Sequence, residues 1–224
     1  MSILSITTSC GRMIPMNTIK RLTLTIAALV AVACVSVPGV RAEITSPDGL
    51  ADGGILIGKA DAPITIIEYA SMTCSHCGQF ATETLPKLKA AWLDTGKARL
   101  FFREFPFDQP ALLASKLVRC GGPARAEGFI EVLFREQRTW ATGADPRPFL
   151  AQIGKLGGIG QEQFDACMAD AALAQAIVQT RLEGAQKYGI DSTPTFIING
   201  EKAKGGAMTF EEFDKLLSAI KPGG

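Results

Sequence analysis

Two cysteines three residues apart constrain this chain more than any other feature. Cys74 and Cys77 follow an apolar, β-branched run at 64–70 and precede a stretch with helical spacing at 79–92. The only histidine of the chain, His76, lies between them. A thiol pair at the junction of a strand and a helix is suited to disulfide exchange. The sequence therefore predicts redox chemistry at this junction.

Residues 1–42 carry the features of a secretory signal peptide. Lys20 and Arg21 precede an uncharged apolar run at 22–37, and small side chains around Ala42 suit a signal peptidase. We predict cleavage after Ala42. An uncleaved membrane anchor is the alternative, although the run falls short of the ~20 apolar residues that span a bilayer.

Two further alternatives remain open for this leader. The stretch before the basic pair is long for a signal peptide, so translation could start at Met13 or Met16 instead. Lipid attachment at Cys34 is a third fate, but the residues before it lack the usual leucine and more apolar chain follows.

The cysteine count and the charge after cleavage limit the class of protein. The formal charge falls from +1 to −3, because residues 1–42 contain four basic residues and no acidic one. This balance favours neither nucleic acid nor an anionic membrane surface as a partner. Four cysteines remain, and an even number in an exported chain favours disulfides over metal. They are Cys74, Cys77, Cys120 and Cys167.

The periodicity predicts strands and helices in a mixed order. The apolar run at 64–70 is typical of a central strand covered on both faces. Helical spacing dominates 110–188, where one of the predicted helices covers 127–140. Strand character resumes at 195–198 before an Asn199-Gly200 hairpin turn. A capping box of Thr209 and Glu212 predicts a last helix that runs to Ile220. The other predicted strands are an edge strand at 55–57, a second core strand at 98–105 and a hairpin strand at 201–204.

This pattern resembles the thioredoxin superfamily and, within it, the DsbA-like periplasmic thiol–disulfide oxidoreductases. The resemblance covers roughly 55–221. It rests on His76 at the second position between the cysteines, on Glu68 six residues ahead of Cys74, and on Thr193-Pro194 in the loop where the family has a cis-proline.

The resemblance implies an α/β thioredoxin fold with a helical domain inserted after the second core strand. The expected domains are the signal peptide at 1–42 and a thioredoxin-like domain at 43–224. Within that domain we expect a core at about 55–107 and 189–221, and a helical insertion at about 108–188.

The position of Cys74 at a helix N-terminus predicts a reactive thiolate. Free backbone N–H groups and the helix dipole favour the charged sulfur. Such sites lower a cysteine pKa from ~8.5 to ~3.5–7.5. His76 is expected to add to this effect, and Cys77 to act as the resolving thiol. The alternative is an inert structural disulfide, but so short a loop would gain little entropy.

Other residues take roles from the resemblance. The resemblance implies that Glu68 relays the proton of Cys77. An ordinary solvated charge is the alternative, but Glu68 lies inside an apolar strand, where a carboxylate is costly unless it is hydrogen-bonded or neutral. A cis bond at Thr193-Pro194 would leave the Thr193 backbone free to pair with an extended substrate by β-augmentation. Haem attachment is excluded by Gly78 after the motif, and zinc binding by the spacing of the other cysteines.

Cys120 and Cys167 lie in the predicted insertion. Free buried thiols are one interpretation, but an oxidising compartment favours a second, structural disulfide. It would close a loop of some 48 residues, for which the chain-entropy model gives about 4 kcal/mol of stabilisation.

The sequence thus predicts a periplasmic enzyme without a cofactor that introduces disulfides into exported proteins. Its expected partners are unfolded or reduced exported proteins and a quinone-linked membrane protein that reoxidises it. We expect no stable membrane insertion after cleavage of the signal. The residue types at Ser75 and Thr193 differ from those of the strongest oxidants of the family, so a reductase or isomerase kept reduced by a partner is the alternative. A copper(I)-binding module of Cys74, His76 and Cys77 is an alternative from another class.

Overall fold

The computed structural model describes residues 54–220. The predicted signal peptide, residues 43–53 and the last four residues of the chain lie outside this range. The described part contains a five-stranded mixed sheet in the order β1-β3-β2-β4-β5. The strands are β1 (Ile55–Gly58), β2 (Ile64–Ala70), β3 (Ala98–Glu104), β4 (Thr195–Ile198) and β5 (Glu201–Lys202).

Strand β2 occupies the centre of the sheet, as its apolar run predicted. It pairs in parallel with β3 and antiparallel with β4. Alternate side chains of a strand point to opposite faces, so both faces of β2 must be covered. Ile66 and Ala70 pack in the larger core cluster, whereas Ile67 and Tyr69 pack in a second cluster on the other face.

The first helical segment, α1, follows β2 and carries the second cysteine. Its consecutive turns are Ser75–Gln79, Phe80–Thr84, Leu85–Leu88 and Lys89–Leu93, of which the second and the fourth are π-type. Pro86 lacks an N–H group, and wider turns flank it. The helix starts at the motif, as the predicted place of Cys74 at a helix N-terminus requires, although apolar helical spacing begins only at Gln79.

The helical insertion lies between β3 and β4, which confirms its predicted place after the second core strand. Helices α2 and α3 meet at Gly122, whose φ of 72° suits glycine. The segment predicted as one helix at 127–140 breaks at Glu136 into α3 and α4. The insertion consists of α2 (Gln109–Gly121), α3 (Pro123–Arg135), α4 (Gln137–Trp140), α5 (Arg147–Leu156), α6 (Gln161–Ala169) and α7 (Ala171–Tyr188).

A buried ion pair fastens the insertion to the sheet. Arg119 of α2 donates two hydrogen bonds of 2.7 Å to Glu104 at the end of β3. The Glu104 side chain is fully buried. A buried carboxylate is tolerated when such a bidentate partner compensates for its lost hydration. The ion pair therefore fixes α2 against the carboxyl ends of β2 and β3, where α1 also begins.

The chain returns to the sheet through a hairpin and a last helix. Asn199 and Gly200 have φ values of 49° and 88°, as the predicted tight turn requires. Helix α8 (Phe210–Ser218) begins after Thr209, which forms the predicted capping box with Glu212. Strand β5 ends at Lys202 and helix α8 at Ser218, so the predicted ends at Lys204 and Ile220 lay two residues too far along the chain.

Candidate functional site

Cys74 is the N-cap of α1, and its thiol is free. Its backbone is extended, with φ −74° and ψ 120°, and its carbonyl accepts the first helical hydrogen bond from Gly78 N–H at 3.0 Å. The Cys77 thiol is also free. Cys74 is partly exposed and Cys77 is buried. An incoming thiolate can therefore reach Cys74 but not Cys77.

The surroundings of Cys74 lower its pKa to about 5. The largest cause is a hydrogen bond with the Cys77 thiol, which opposes the effect of burial. The Thr193 side chain and the backbone N–H groups of Cys77 and His76 lower the pKa further. These donors stabilise the charged sulfur, as expected at a helix N-terminus. At neutral pH Cys74 is a thiolate.

Cys77 is held in the opposite state. Burial raises the pKa of its thiol, and the hydrogen bond to Cys74 and the negative charges of Glu68 and Cys74 raise it further. A protonated Cys77 donates to the Cys74 thiolate. The pair therefore shares one proton, with the charge on the accessible sulfur.

Glu68 lies in β2 on the face that carries the larger core cluster. It alternates with Ile66 and Ala70, which belong to that cluster together with Cys77. Its cross-strand neighbours are Phe102 and Phe196. Only 2% of Glu68 is exposed, and its Oε1 has no hydrogen-bond partner within residues 54–220.

Burial raises the pKa of Glu68 to about 8, and the charge of Cys74 adds to the effect. The carboxyl is therefore mostly protonated at neutral pH. A neutral acid in electrostatic contact with Cys77 can hold a proton for that sulfur. The predicted role of Glu68 as a proton relay fits this geometry and stays a prediction.

Thr193 lies directly against Cys74. Its carbonyl oxygen is 3.3 Å from Cys74 Sγ, a contact to which only the protonated thiol can donate a hydrogen. The Thr193 hydroxyl is buried without a hydrogen-bond partner in the described range, so it is available as a donor to the thiolate. The Thr193–Pro194 bond is cis, the isomer that the resemblance implies.

His76 is exposed on the first turn of α1 and points into a groove. The groove has a volume of about 670 Å³ and lies between α1 and the start of α4. Gln79 and Arg138 line its two sides. His76 supports the Cys74 thiolate through its backbone N–H.

Three further residues at this site carried no functional signal in the sequence. Gln137 of α4 donates from Nε2 to the carbonyls of Met72 and Cys74 at 2.8 Å and 2.9 Å. Thr73 donates to Asp108 at 2.7 Å. An aspartate ahead of a proline-containing first turn is typical of an N-cap, which Asp108 is. Nothing in the sequence pairs it with Thr73.

Cys120 and Cys167 form a disulfide that joins α2 to α6, with their Cα atoms 6.3 Å apart. The Lys116 carbonyl lies 3.3 Å from Cys167 Sγ, within the insertion. Neither cysteine contributes to the pKa of Cys74 or Cys77. The pair is therefore structural in its contacts.

Metal binding finds no support in the described part of the chain. Across residues 54–220, no three side chains of the types His, Cys, Asp and Glu are grouped to hold a metal ion. Met72 is fully buried in the core and supplies no accessible sulfur ligand beside Cys74. In the same range, no helix is both long and apolar enough to cross a membrane.

A mixed sheet, a thiol pair at a helix N-terminus and an adjacent cis-proline define the thioredoxin class of fold. A thioredoxin family model matches residues 50–219. The alpha-DsbA1 structure of Wolbachia pipientis is 31% identical, with 78% of this chain and 94% of that chain covered and a TM-score of 0.70. The chain therefore belongs to the DsbA-like thiol–disulfide oxidoreductases of the thioredoxin superfamily.

Two further proteins are similar to this chain. A putative protein-disulfide oxidoreductase of Rickettsia prowazekii is 32% identical over 66% of this chain and 55% of its own length. The chain thus spans little more than half of the Rickettsia proteins that it matches. BdbD of Bacillus subtilis is 24% identical and has a TM-score of 0.67, with 74% of this chain and 91% of that chain covered; it shares the fold.

Proposed function

We propose that this protein is an exported oxidase of protein thiols, which donates a Cys74–Cys77 disulfide to reduced proteins. The observation that carries the proposal is the opposite protonation of the two sulfurs. The pKa of Cys74 is lowered to about 5 and that of Cys77 is raised. A stabilised thiolate favours the reduced pair, so the disulfide form tends to oxidise its substrates.

The reaction proceeds in two exchanges. A substrate thiolate attacks Cys74 Sγ, the Cys74–Cys77 bond breaks, and its electron pair leaves on Cys77 Sγ, which takes up a proton. Glu68 supplies that proton, a role that its raised pKa of about 8 supports. A second substrate thiolate then attacks the substrate sulfur of the mixed disulfide, and Cys74 leaves as a thiolate. The substrate loses two electrons, and the cysteine pair gains them.

The substrates are unfolded or reduced exported proteins. The Thr193 backbone lies beside Cys74, where it can pair with an extended segment of any sequence. Each turnover leaves the enzyme reduced, so a membrane redox partner must accept two electrons from it. We assign that role to a quinone-linked membrane protein, in keeping with the resemblance. The charge pattern supports no nucleic-acid partner.

The periplasmic location depends on residues 1–42. We propose that they are a signal peptide and that residues 43–224 form the mature thioredoxin-like domain. The supporting features are the basic pair, the apolar run and the small residues near Ala42. N-terminal sequencing of the exported protein is expected to begin at Glu43. An intact leader in the membrane fraction would instead show anchoring.

The direction of electron flow is tested by equilibrium with glutathione. We expect the Cys74/Cys77 couple to have a reduction potential less negative than about −200 mV, in the range of protein disulfide isomerase and stronger oxidants. The oxidised protein should form disulfides in a reduced, unfolded substrate. The Cys74→Ala variant should not, and the Cys120→Ala/Cys167→Ala variant is the matched control. A potential near about −270 mV, as in thioredoxin, would reverse the assignment.

A reductase or isomerase is the second candidate, and Thr193 favours it. The resemblance associates threonine before the cis-proline with isomerase branches of the superfamily. Thiol trapping in intact cells separates the two candidates. An oxidase is recovered with Cys74 and Cys77 joined, whereas a reductase or isomerase is recovered with both thiols free.

A further inference from the structure

The buried side-chain amide of Gln137, which belongs to the insertion, holds the loop that leads into Cys74. Gln137 Nε2 donates to the Met72 carbonyl at 2.8 Å and to the Cys74 carbonyl at 2.9 Å. Gln137 is 8% exposed and Met72 is fully buried. Both hydrogens of one amide group are thereby used on two carbonyls of the same loop. Water does not compete freely for these bonds, because the donor is buried.

Gly78 shapes the space that Gln137 occupies. A Cβ atom built on Gly78 would lie 2.6 Å from Gln137 Oε1. The backbone of Gly78 is helical and needs no glycine for its conformation. The missing side chain therefore serves the close approach of Gln137 to the first turn of α1.

A second bond from the insertion reaches the same loop. Thr73 Oγ1 donates to Asp108 Oδ2 at 2.7 Å, while Asp108 Oδ1 accepts the Ala111 N–H and caps α2. The residue before Cys74 is thus tied to α2, and the residues on either side of Thr73 are tied to α4 through Gln137. The loop is fixed by two helices that do not belong to the thioredoxin core.

We propose that Gln137 is a positioning residue, which couples the helical insertion to the reactivity of Cys74 by fixing the peptide carbonyls around its sulfur. The inference rests on the proposed redox function and deepens it. Cys74 Sγ meets the N–H groups of Cys77 and His76 only while the Cys74 peptide keeps its capping geometry. Without Gln137, the Met72 carbonyl loses a buried donor and the Cys74 carbonyl keeps only the Gly78 N–H, so the loop is no longer held in its place beside the insertion.

The main experiment replaces Gln137 with methionine, which keeps the length of the side chain and removes its donors. We expect the Cys74 pKa, measured by thiolate absorbance, to rise by about one unit, which is a tenfold change in acidity. The equilibrium constant with glutathione should shift in the same direction by a similar factor. Gln163→Met, on exposed α6, is the matched control and should leave both quantities unchanged.

A second variant displaces Gln137 without altering its chemistry. Gly78→Ala places a methyl group 2.6 Å from Gln137 Oε1, too close for both to stay, and alanine in a helix costs no stability by propensity. We expect a similar rise in the Cys74 pKa. In the Gly78→Ala/Gln137→Met double variant, the Cys74 pKa should be no higher than in either single variant, since both substitutions remove the same pair of hydrogen bonds.

The two possible failures are distinguishable. If Gln137→Met and Gly78→Ala unfold more easily but keep the Cys74 pKa and the glutathione equilibrium of the parent, Gln137 is merely structural and the inference is wrong. The inference would also be contradicted if the rise in the Cys74 pKa of the double variant equalled the sum of the rises in the two single variants. Both measurements use the isolated protein, so a parent that oxidises no substrate would overturn the proposed function alone.

Discussion

The carbonyl oxygen of Thr193 lies 3.3 Å from Sγ of Cys74, although 119 residues separate the two in sequence. A carbonyl can hold a thiol but offers nothing to a thiolate. Once Cys74 ionises, the Thr193 carbonyl is free to accept the N–H of an extended substrate. The protonation state of Cys74 therefore determines whether the Thr193 backbone is available to bind a substrate.

The Cys74 thiol should titrate with a pKa of about 5 in the reduced protein. The pKa should rise by about one to two units in Cys77→Ala, because the hydrogen bond from Cys77 is the largest stabilising cause and hydrogen bonds to charged groups contribute about 1.5–3 kcal/mol. The rate of alkylation as a function of pH measures both values. An unshifted titration in Cys77→Ala would show that the N–H groups of α1 are sufficient.

Thr193→Val should raise the Cys74 pKa by less than one unit. The substitution removes the hydroxyl that supports the thiolate but keeps the shape of the side chain and the Thr193 carbonyl. Thr193→Ser retains a hydroxyl and should restore most of the effect. Thiolate absorbance reports the change. Equal pKa values in the valine and serine variants would exclude the hydroxyl as a donor.

Glu68→Gln should stabilise the reduced protein at neutral pH and above. Burial raises the Glu68 pKa from 4.5 to about 8, so the native state holds a proton that the unfolded state releases between these pH values. The Glu68 contribution to the free energy of unfolding thus falls as pH rises from about 4.5 to about 8. The free energy of unfolding of the variant should exceed that of the parent by about 3 kcal/mol at pH 7, and the two should be equal near pH 4.

Urea unfolding across this pH range measures the difference. Glu83→Gln, at an exposed position on α1, is the matched control. Its free energy of unfolding should change with pH in the same way as that of the parent. If the difference in unfolding free energy between Glu68→Gln and the parent is the same at all pH values, folding does not shift the Glu68 pKa, and the prediction is wrong.

Cys120→Ala/Cys167→Ala should unfold more easily while keeping the chemistry of the active site. The disulfide spans 47 residues in sequence, and the chain-entropy model gives about 4 kcal/mol for such a loop. Neither cysteine contributes to the pKa of Cys74, so its titration should not change. Thermal unfolding and thiolate absorbance on the same samples provide the two readouts. A shifted Cys74 pKa would reveal a coupling that the contacts do not contain.

Local signals were sufficient for much of the fold. The apolar run of β2, the Asn199-Gly200 turn and the capping box of α8 each encode their structure within a few residues, so periodicity and turn chemistry predicted them. The break at Glu136 was missed, since it does not interrupt the helical spacing of apolar residues.

The sequence by itself determined the thiol pair, its place between a strand and a helix, and a carboxyl inside an apolar strand. Only the tertiary structure decided what surrounds them. Phe102 and Phe196 flank Glu68 because two other strands bring them there, and this removes the water that would keep its pKa low. Gln137 reaches Cys74 across 63 residues. Such contacts arise from packing between distant segments, which leaves no mark on local periodicity.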